Sequence, residues 1–236
     1  MAINTSIEKK DVTGRVFKRL LQIVLGGVIL AVCMFVPAGR LNWWQAWAYV
    51  AIYFGMVVFN AVFILGKDPE LIVERGETKE NTKGWDKTVT SFITLITLLT
   101  LIVAGLDARF GWSQVALATQ VGGLIAVVAG YGIVSWAMAA NRFFARVVRI
   151  QNDRGHAVCS SGPYRFVRHP GYVAMCAYSI ATPFALGSWW AVLPALFIVV
   201  GFVIRTALED RTLRAELPGY AEYAARVRYR LFPAIW

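Results

Sequence analysis

Long apolar runs are the feature of this sequence that most restricts its fold. Four runs approach or exceed the roughly 20 residues that a helix needs to cross a bilayer, and they cover residues 20–36, 46–65, 88–106 and 115–140. A fifth block, residues 172–204, contains Pro183, Gly187 and Pro194. It is too long for one helix and is interrupted near its middle, so it predicts two short helices in a hairpin. The sequence therefore predicts an all-α integral membrane protein with about six transmembrane helices, or five if the hairpin is re-entrant.

The composition agrees with a membrane protein. Hydrophobic residues make up 58% of the 236 residues and charged residues only 16%, against roughly 25% charged residues in soluble domains. We expect a single membrane domain over residues 1–236, with a four-helix part (residues 1–140) followed by a cofactor-binding, catalytic part (residues 141–236). About twenty polar residues precede the first apolar run, so we expect no removable signal peptide.

The basic residues predict the orientation. With six helices, 22 of the 24 Lys and Arg residues fall on one side of the membrane, and only Arg40 and Arg109 fall on the other. The positive-inside rule then predicts that both termini are cytoplasmic. We attribute the net charge of +10 to this topology and to attraction for anionic membrane lipids, and we expect no binding to nucleic acid. The three cysteines are far apart, which predicts neither a disulfide framework nor a zinc or other metal site.

The connection formed by residues 67–87 mixes five basic with six acidic residues. This mixture predicts a solvated segment on the cytoplasmic side. Within it, Asp68-Pro69-Glu70 is typical of a helix N-terminus, because proline is tolerated in the first turn and acids favour that end of the helix dipole.

Residues 162–172, Gly-Pro-Tyr-Arg-Phe-Val-Arg-His-Pro-Gly-Tyr, carry the strongest indication of function. They place two arginines and a histidine directly before the apolar hairpin, where charged groups are costly unless they face water, a partner or a ligand. At the far end of the hairpin, Arg205 and Glu209 are four residues apart and share one helix face. They can form a structural ion pair, or they can hold the opposite charges of a zwitterionic ligand.

These segments together resemble the isoprenylcysteine carboxyl methyltransferase family. The resemblance is carried by Gly155-His156-Ala157-Val158, by residues 162–172, by Arg205 through Glu209-Asp210, and by Arg228-Tyr229-Arg230-Leu231-Phe232-Pro233. It covers about residues 140–236. It implies a membrane enzyme that uses S-adenosylmethionine, enclosed near the cytoplasmic surface.

The resemblance also implies roles for individual residues. Arg205 would face the methyl-accepting group, and Arg205 and Glu209 would be the catalytic pair. The implied cofactor pocket consists of Arg149, His156, Ala157, Val158, Cys159, Tyr164, His169, Pro170, Gly171, Tyr172 and Glu209.

The chemistry of these side chains suits that cofactor. Glu209 can accept hydrogen bonds from its ammonium group, and His169 or the following helix N-terminus can hold its carboxylate. Tyr164 and Tyr172 can pack against the adenine or the sulfonium. The alternatives are that the tyrosines only anchor the interface, that His169 only precedes a helix, and that His156 lies on the surface.

The methyl acceptor is expected to be lipophilic, either a small molecule or a lipidated group. A carboxylate acceptor is favoured because it is ionised at neutral pH and needs no general base, and Arg205 could orient it by a charge-assisted hydrogen bond. The small residues between positions 122 and 132 permit either close helix packing or a lipid groove.

Three other functions remain open from the sequence. The chain could methylate a phospholipid nitrogen or a thiol. It could be a membrane reductase similar to sterol reductases, with Arg146, Arg149 and Arg154 binding the phosphates of NADPH. It could also be a non-catalytic membrane protein whose basic face binds anionic lipid.

Overall fold

The structure is a computed structural model that describes residues 2–65 and 82–236, and it describes the side chains of residues 20–62 and 82–236. These ranges contain helices and no strand. The α-helices are α1 (Ala2–Ala38), α2 (Trp44–Leu65), α3 (Gly84–Phe110), α4 (Leu117–Ala140), α5 (Pro170–Ala185), α6 (Val192–Glu216) and α7 (Tyr220–Arg226). Two short 3₁₀ helices, Asn152–Arg154 and Gly162–Arg165, lie between α4 and α5.

The prediction of an all-α integral membrane protein is confirmed. Five described helices are long and apolar enough to cross a membrane, and these spans are Leu20–Ala38, Trp44–Val62, Gly84–Phe110, Leu117–Ala140 and Val192–Glu216. The predicted helix beginning at Asp68 lies outside the described residues. The connection that was expected to continue to Lys87 ends earlier, because α3 already begins at Gly84.

The predicted hairpin is formed by α5 and α6, but the expectation of two short helices is wrong for α6, which has 25 residues and continues past the apolar block to Glu216. Gly187 lies at its tip with a φ of +76°, a left-handed conformation that glycine adopts without strain. Helix α5 has 16 residues, which corresponds to about 24 Å at 1.5 Å per residue and is shorter than the roughly 30 Å hydrocarbon core. If the tip reaches one boundary of that core, Pro170 at the other end of α5 therefore lies at or inside the opposite boundary.

Polar contacts distinguish the two ends of the helix bundle. At one end, which we call the site end, Lys83 before α3 pairs with Glu216 at the end of α6 (Nζ–Oε1 2.6 Å). At the opposite end, the Asp107 carboxylate near the end of α3 accepts hydrogen bonds from Ser113 and from Ser188 at the hairpin tip. The segments that begin α5 and end α6 therefore meet beside the start of α3.

Helices α4 and α5 approach closely where α4 carries glycine. A Cβ atom at Gly123 would lie 2.4 Å from the backbone nitrogen of Ala185, and one at Gly130 would lie 2.8 Å from the Cβ of Tyr178. Gly122 and Gly132 have open space instead. Of the two roles predicted for the small residues of this helix, close packing applies to Gly123 and Gly130. The predicted division of the chain at residue 140 stays a prediction.

Candidate active site

A cavity of about 250 Å³ lies at the site end of the bundle. Its wall is built by the start of α3, the segment between α4 and α5, the start of α5, the end of α6, and α7. Apolar side chains from three helices, Ile93, Met175 and Phe202, line it together with charged and aromatic groups. One cavity therefore joins a polar region with a surface suited to a hydrophobic group.

The cavity brings together eleven of the twelve residues proposed from the sequence. These are Arg149, His156, Ala157, Val158, Cys159, Tyr164, His169, Gly171, Tyr172, Arg205 and Glu209. Pro170 is not among the lining residues. It is buried as the first residue of α5, where its fixed φ suits the start of a helix. The binding and catalytic roles of all twelve stay predictions.

The loop that carries His156 is organised around Gln151. The Gln151 side chain is buried, and its Nε2 donates a hydrogen bond to the Phe143 carbonyl (2.8 Å). The backbone N–H of Gln151 donates to Nδ1 of His156 (3.2 Å). Since Nδ1 accepts this bond, the neutral imidazole carries its hydrogen on Nε2.

His156 is half-buried rather than a fully exposed surface residue. Burial, together with the nearby positive charges of Arg149 and Arg154, lowers the pKa of this imidazole to about 4. The ring packs against Phe143 with 4.7 Å between ring centroids. At neutral pH His156 is therefore an uncharged hydrogen-bond donor, and its Nδ1 is not free to act as a base.

Tyr164 lies further along the segment between α4 and α5, in the second 3₁₀ helix. Its side chain is buried, and its carbonyl accepts a hydrogen bond from the Tyr223 hydroxyl of α7 (2.7 Å). Burial raises the pKa of the Tyr164 phenol well above its ordinary value. The phenol therefore stays protonated and presents a neutral aromatic ring to the cavity.

Asp210 on α6 anchors the entry to α5. Its carboxylate is fully buried and accepts hydrogen bonds from Arg168 (Nε–Oδ1 2.6 Å) and from the Tyr220 hydroxyl (2.9 Å). Nε2 of His169 lies 3.5 Å from the same carboxylate oxygen. Arg214 and Arg230 donate to the other oxygen at 3.1 and 3.0 Å. This arrangement fixes the imidazole of His169 at the cavity wall.

The C-terminal segment completes this anchor. The backbone N–H groups of Arg168 and His169 donate to the carbonyls of Tyr229 (2.9 Å) and Arg230 (3.0 Å). The Arg168 guanidinium also donates to the carbonyls of Val227 and Arg228. Because Nη2 also donates to Oδ2 of Asp210 (3.1 Å), Arg168 makes four hydrogen bonds and is neutralised by Asp210, so it has a structural role.

Arg205 does not pair with Glu209. Its Nε and Nη2 donate to the two carboxylate oxygens of Asp86 at 2.8 and 3.3 Å, and Nη2 also donates to the Arg146 carbonyl (2.7 Å). Both partners are buried, with 6% of Arg205 and none of Asp86 exposed. The Nη1 group donates no hydrogen bond to the described residues. The guanidinium is therefore neutralised and oriented, and it keeps two N–H donors at the cavity.

Glu209 instead accepts a hydrogen bond at Oε2 from the Tyr172 hydroxyl. The Tyr172 ring stacks on His169, with 5.8 Å between centroids and planes 7° apart, and the Arg205 guanidinium lies 5.2 Å from its centroid. Oε1 of Glu209 accepts no hydrogen bond within the described part of the chain. One carboxylate oxygen thus remains for a cationic ligand group.

Sequence reasoning missed two carboxylates that organise the site. It counted Asp86 among the acids of a solvated connection, although this residue lies buried in the first turn of α3. It also gave no role to Asp210. Their positions next to apolar runs were the available signal. Their partners, Arg205 and Arg168, lie 119 and 42 residues away in sequence, a separation that spacing along a single helix does not reveal.

Comparisons with known proteins agree with the resemblance seen in the sequence. Residues 123–215 match the isoprenylcysteine carboxyl methyltransferase (ICMT) family. Two relatives, from Oryza sativa subsp. indica and Oryza sativa subsp. japonica, are each named a probable protein-S-isoprenylcysteine O-methyltransferase. Each is 28% identical over 108 residues, which is 44% of this chain and 56% of the relative.

The chain thus spans only about half the length of the curated relatives that it matches. The matched region contains the whole segment between α4 and α5, the α5–α6 hairpin, and both Arg205 and Glu209. Through this region, residues 123–215, the chain is similar to the isoprenylcysteine carboxyl methyltransferase family.

Proposed function

We propose that this protein is a membrane methyltransferase that uses S-adenosylmethionine to methylate a carboxylate on a lipophilic acceptor. The observation that carries the proposal is that Arg205 and Glu209 line one cavity, each already bonded to another residue and each keeping free hydrogen-bonding capacity. The family match and the names of the rice relatives support the same function.

The residues at the cavity fit a zwitterionic methyl donor. Its ammonium group needs a hydrogen-bond acceptor, and Oε1 of Glu209 is available. Its carboxylate needs donors, and the backbone N–H of Gly171, in the first turn of α5, makes no hydrogen bond with the described residues. This position also lies at the N-terminal end of α5, where the partial positive charge of the helix dipole favours an anion. The rings of Tyr164 and Tyr172 provide surfaces for an adenine or a sulfonium.

S-adenosylmethionine supplies an electrophilic methyl group on a positively charged sulfur. The protein's own contribution is to align the acceptor oxygen with that group and to exclude water. The site suits an acceptor that is already ionised. Nδ1 of His156 accepts the Gln151 N–H, and Nε2 of His169 faces Asp210 and the Tyr220 hydroxyl. An amine or thiol acceptor would need a base to remove its proton, which favours a carboxylate.

Arg205 is proposed to hold the acceptor carboxylate. The Asp86 partner fixes the guanidinium plane, so Nη1 is oriented before the acceptor arrives. The apolar wall formed by Ile93, Met175 and Phe202 suits the hydrocarbon part of the acceptor. If the hairpin tip reaches the opposite boundary of the hydrocarbon core, α5 begins at or inside the membrane boundary, and a lipid-embedded acceptor can reach this depth without leaving the bilayer. We further propose that the site end faces the cytoplasm, in line with the distribution of Lys and Arg.

Two of the three arginines proposed for the reductase alternative have other partners. Arg149 pairs with Asp153 (Nη1–Oδ1 2.8 Å), and Arg154 donates to the Gln151 side chain (2.8 Å) and to the Arg142 carbonyl (3.1 Å). Binding the phosphates of NADPH would require these contacts to be given up. This favours the methyltransferase over the reductase.

The proposal is tested by methyl transfer in purified protein reconstituted into lipid nanodiscs. S-adenosylmethionine with a tritiated methyl group is supplied together with N-acetyl-S-farnesylcysteine, a small carboxylate with an isoprenyl tail. We expect a labelled product that releases methanol on treatment with base, because an ester is base-labile. The same probe with its carboxylate already esterified is the matched control and should accept no label.

Label that appears in base-stable form would contradict the carboxylate assignment and indicate methylation of nitrogen or sulfur. No transfer to any lipid or probe, together with NADPH consumption, would contradict the methyltransferase itself.

A further inference from the structure

The face of α3 that lines the cavity belongs to a helix outside the matched family region, which begins at residue 123. Asp86, Thr90 and Ile93 follow each other at helical spacing on this face. Asp86 bonds to Arg205, while Ile93 packs in one hydrophobic cluster with Phe202. Thr90 lies between them along α3, and it lines the cavity as well. Its side chain is therefore close to the level of the Arg205 guanidinium.

The Thr90 hydroxyl is buried and has no hydrogen-bond partner in the described structure. This is unusual within its own helix. Thr94, Thr97 and Thr100 each donate to the carbonyl four residues earlier, at 2.8 Å. A buried hydroxyl without a partner costs free energy. An unpaired hydroxyl on the wall of a ligand cavity therefore indicates a bond that the ligand completes.

Arg205 provides the second donor at this position. Its Nε and Nη2 are bonded to Asp86 and to the Arg146 carbonyl, which leaves Nη1. A carboxylate has two oxygens and accepts hydrogen bonds at both. A hydroxyl from α3 and an N–H from α6 can each serve one oxygen.

We propose that Thr90 and Arg205 form a two-point clamp for the acceptor carboxylate, and that Asp86 is the positioning residue that orients Arg205. This assignment rests on the proposed function and names the residues that select its substrate. The clamp holds the carboxylate while one of its oxygens forms a bond to the methyl carbon. The bond between that carbon and the sulfonium sulfur breaks, and its electron pair stays on sulfur. No proton is transferred, so the clamp needs donors and no base.

The test compares Thr90→Val, which keeps the shape but removes the hydroxyl, with Thr90→Ser, which keeps a hydroxyl. Thr97→Val is the matched control, because Thr97 lies on the same helix and its hydroxyl bonds only to the backbone. Each variant is assayed in nanodiscs for kcat and KM with N-acetyl-S-farnesylcysteine, and for binding of S-adenosylhomocysteine by calorimetry.

We expect Thr90→Val to raise the KM for the probe by about tenfold or more, the factor typical of a lost hydrogen bond to a charged group. The KM values of Thr90→Ser and Thr97→Val for the probe should remain within about threefold of the wild-type value, since both variants keep a hydroxyl at position 90. Affinity for S-adenosylhomocysteine should be unchanged in all of them. Rescue by serine and the selective effect on the acceptor distinguish a clamp from a purely structural role.

Equal KM values for Thr90→Val and the wild type would overturn the clamp while leaving the proposed function intact. A KM for Thr90→Ser that is raised as much as that for Thr90→Val would also overturn the clamp. A loss of S-adenosylhomocysteine binding in Thr90→Val would overturn it as well. If the wild type transfers no methyl group to the probe, the proposed carboxylate specificity fails and the clamp fails with it.

Discussion

Replacing Asp210 by asparagine should destabilise the protein strongly. Asp210 is fully buried and bonds to Arg168, Arg214 and Arg230. Only 4% of Arg168 is exposed, so the variant would leave a buried guanidinium without its counter-charge. Asparagine would also place an amide N–H group where a carboxylate oxygen now accepts a hydrogen bond, so that two donors would face each other. Removing one partner of a buried ion pair costs about 3–5 kcal/mol.

This free-energy loss can be measured as a change in unfolding temperature. For chains of this size, 1 kcal/mol corresponds to about 2–4 °C, so Asp210→Asn should lower the apparent Tm in detergent by roughly 6–20 °C. Glu216→Gln is the matched control at the same end of α6. It breaks the exposed pair with Lys83, whose side chains are 31% and 43% exposed, and such pairs contribute about 0–1 kcal/mol. An Asp210→Asn protein that unfolds within 2 °C of the Glu216→Gln control would refute the anchoring role.

Two further predictions concern the loop and the helix packing. Because burial and two arginines hold the pKa of His156 near 4, compared with an ordinary value of about 6.5, its neutral form favours the folded state, and this stability is lost as the pH falls from about 6.5 towards 4. The difference in free energy of unfolding between the wild type and His156→Asn should therefore shrink as the pH falls from 7.5 to 5. A difference that stays constant over this range would contradict the lowered pKa of His156. Gly123→Ala should lower the Tm because its Cβ would lie 2.4 Å from the backbone of Ala185, while Gly122→Ala, which has open space, should leave the Tm unchanged or raise it slightly. Equal Tm values for these two variants would contradict the close packing of α4 on α5.

The sequence predicted the helical elements well because membrane spans are defined by local composition. Each apolar run lies within a helix, and the bounds of α2, α3 and α4 differ by a few residues from those expected, whereas α1 begins at Ala2 and α6 continues to Glu216. The hairpin was predictable from Pro183, Gly187 and Pro194, which interrupt an apolar block too long for one helix. The early start of α3 was missed, since the charged residues Asp86 and Lys87 placed residues 84–87 with the preceding connection.

The site was predicted in part. The residues after Ala140 were proposed from short motifs whose members are close in sequence, and the structure brings nearly all of them to one cavity. Residues contributed by α3 were not foreseen. Asp86 bonds to Arg205 across a helix contact with α6, and Thr90 lines the same cavity. Neither residue carries a local pattern that distinguishes it from a solvated acid or an ordinary helical threonine.

The ion pair between Arg205 and Glu209, one of two alternatives left open by the sequence, shows the same difficulty. Spacing along a helix correctly placed Arg205 and Glu209 on one face, but it could not show which group neutralises each. Asp86 competes successfully for the guanidinium because it offers both carboxylate oxygens in a buried position. Glu209 then bonds to Tyr172 and keeps one oxygen available.

Calorimetric titration of the purified protein with S-adenosylhomocysteine and with NADPH tests most directly whether the cavity binds the proposed methyl donor. Saturable binding of S-adenosylhomocysteine to the wild type is expected, weakened about tenfold or more in Glu209→Gln, because that substitution removes the charge proposed to bind the ammonium group. NADPH should produce no binding heat. Binding of NADPH without binding of S-adenosylhomocysteine, or equal affinity of S-adenosylhomocysteine for both proteins, would contradict the proposed site.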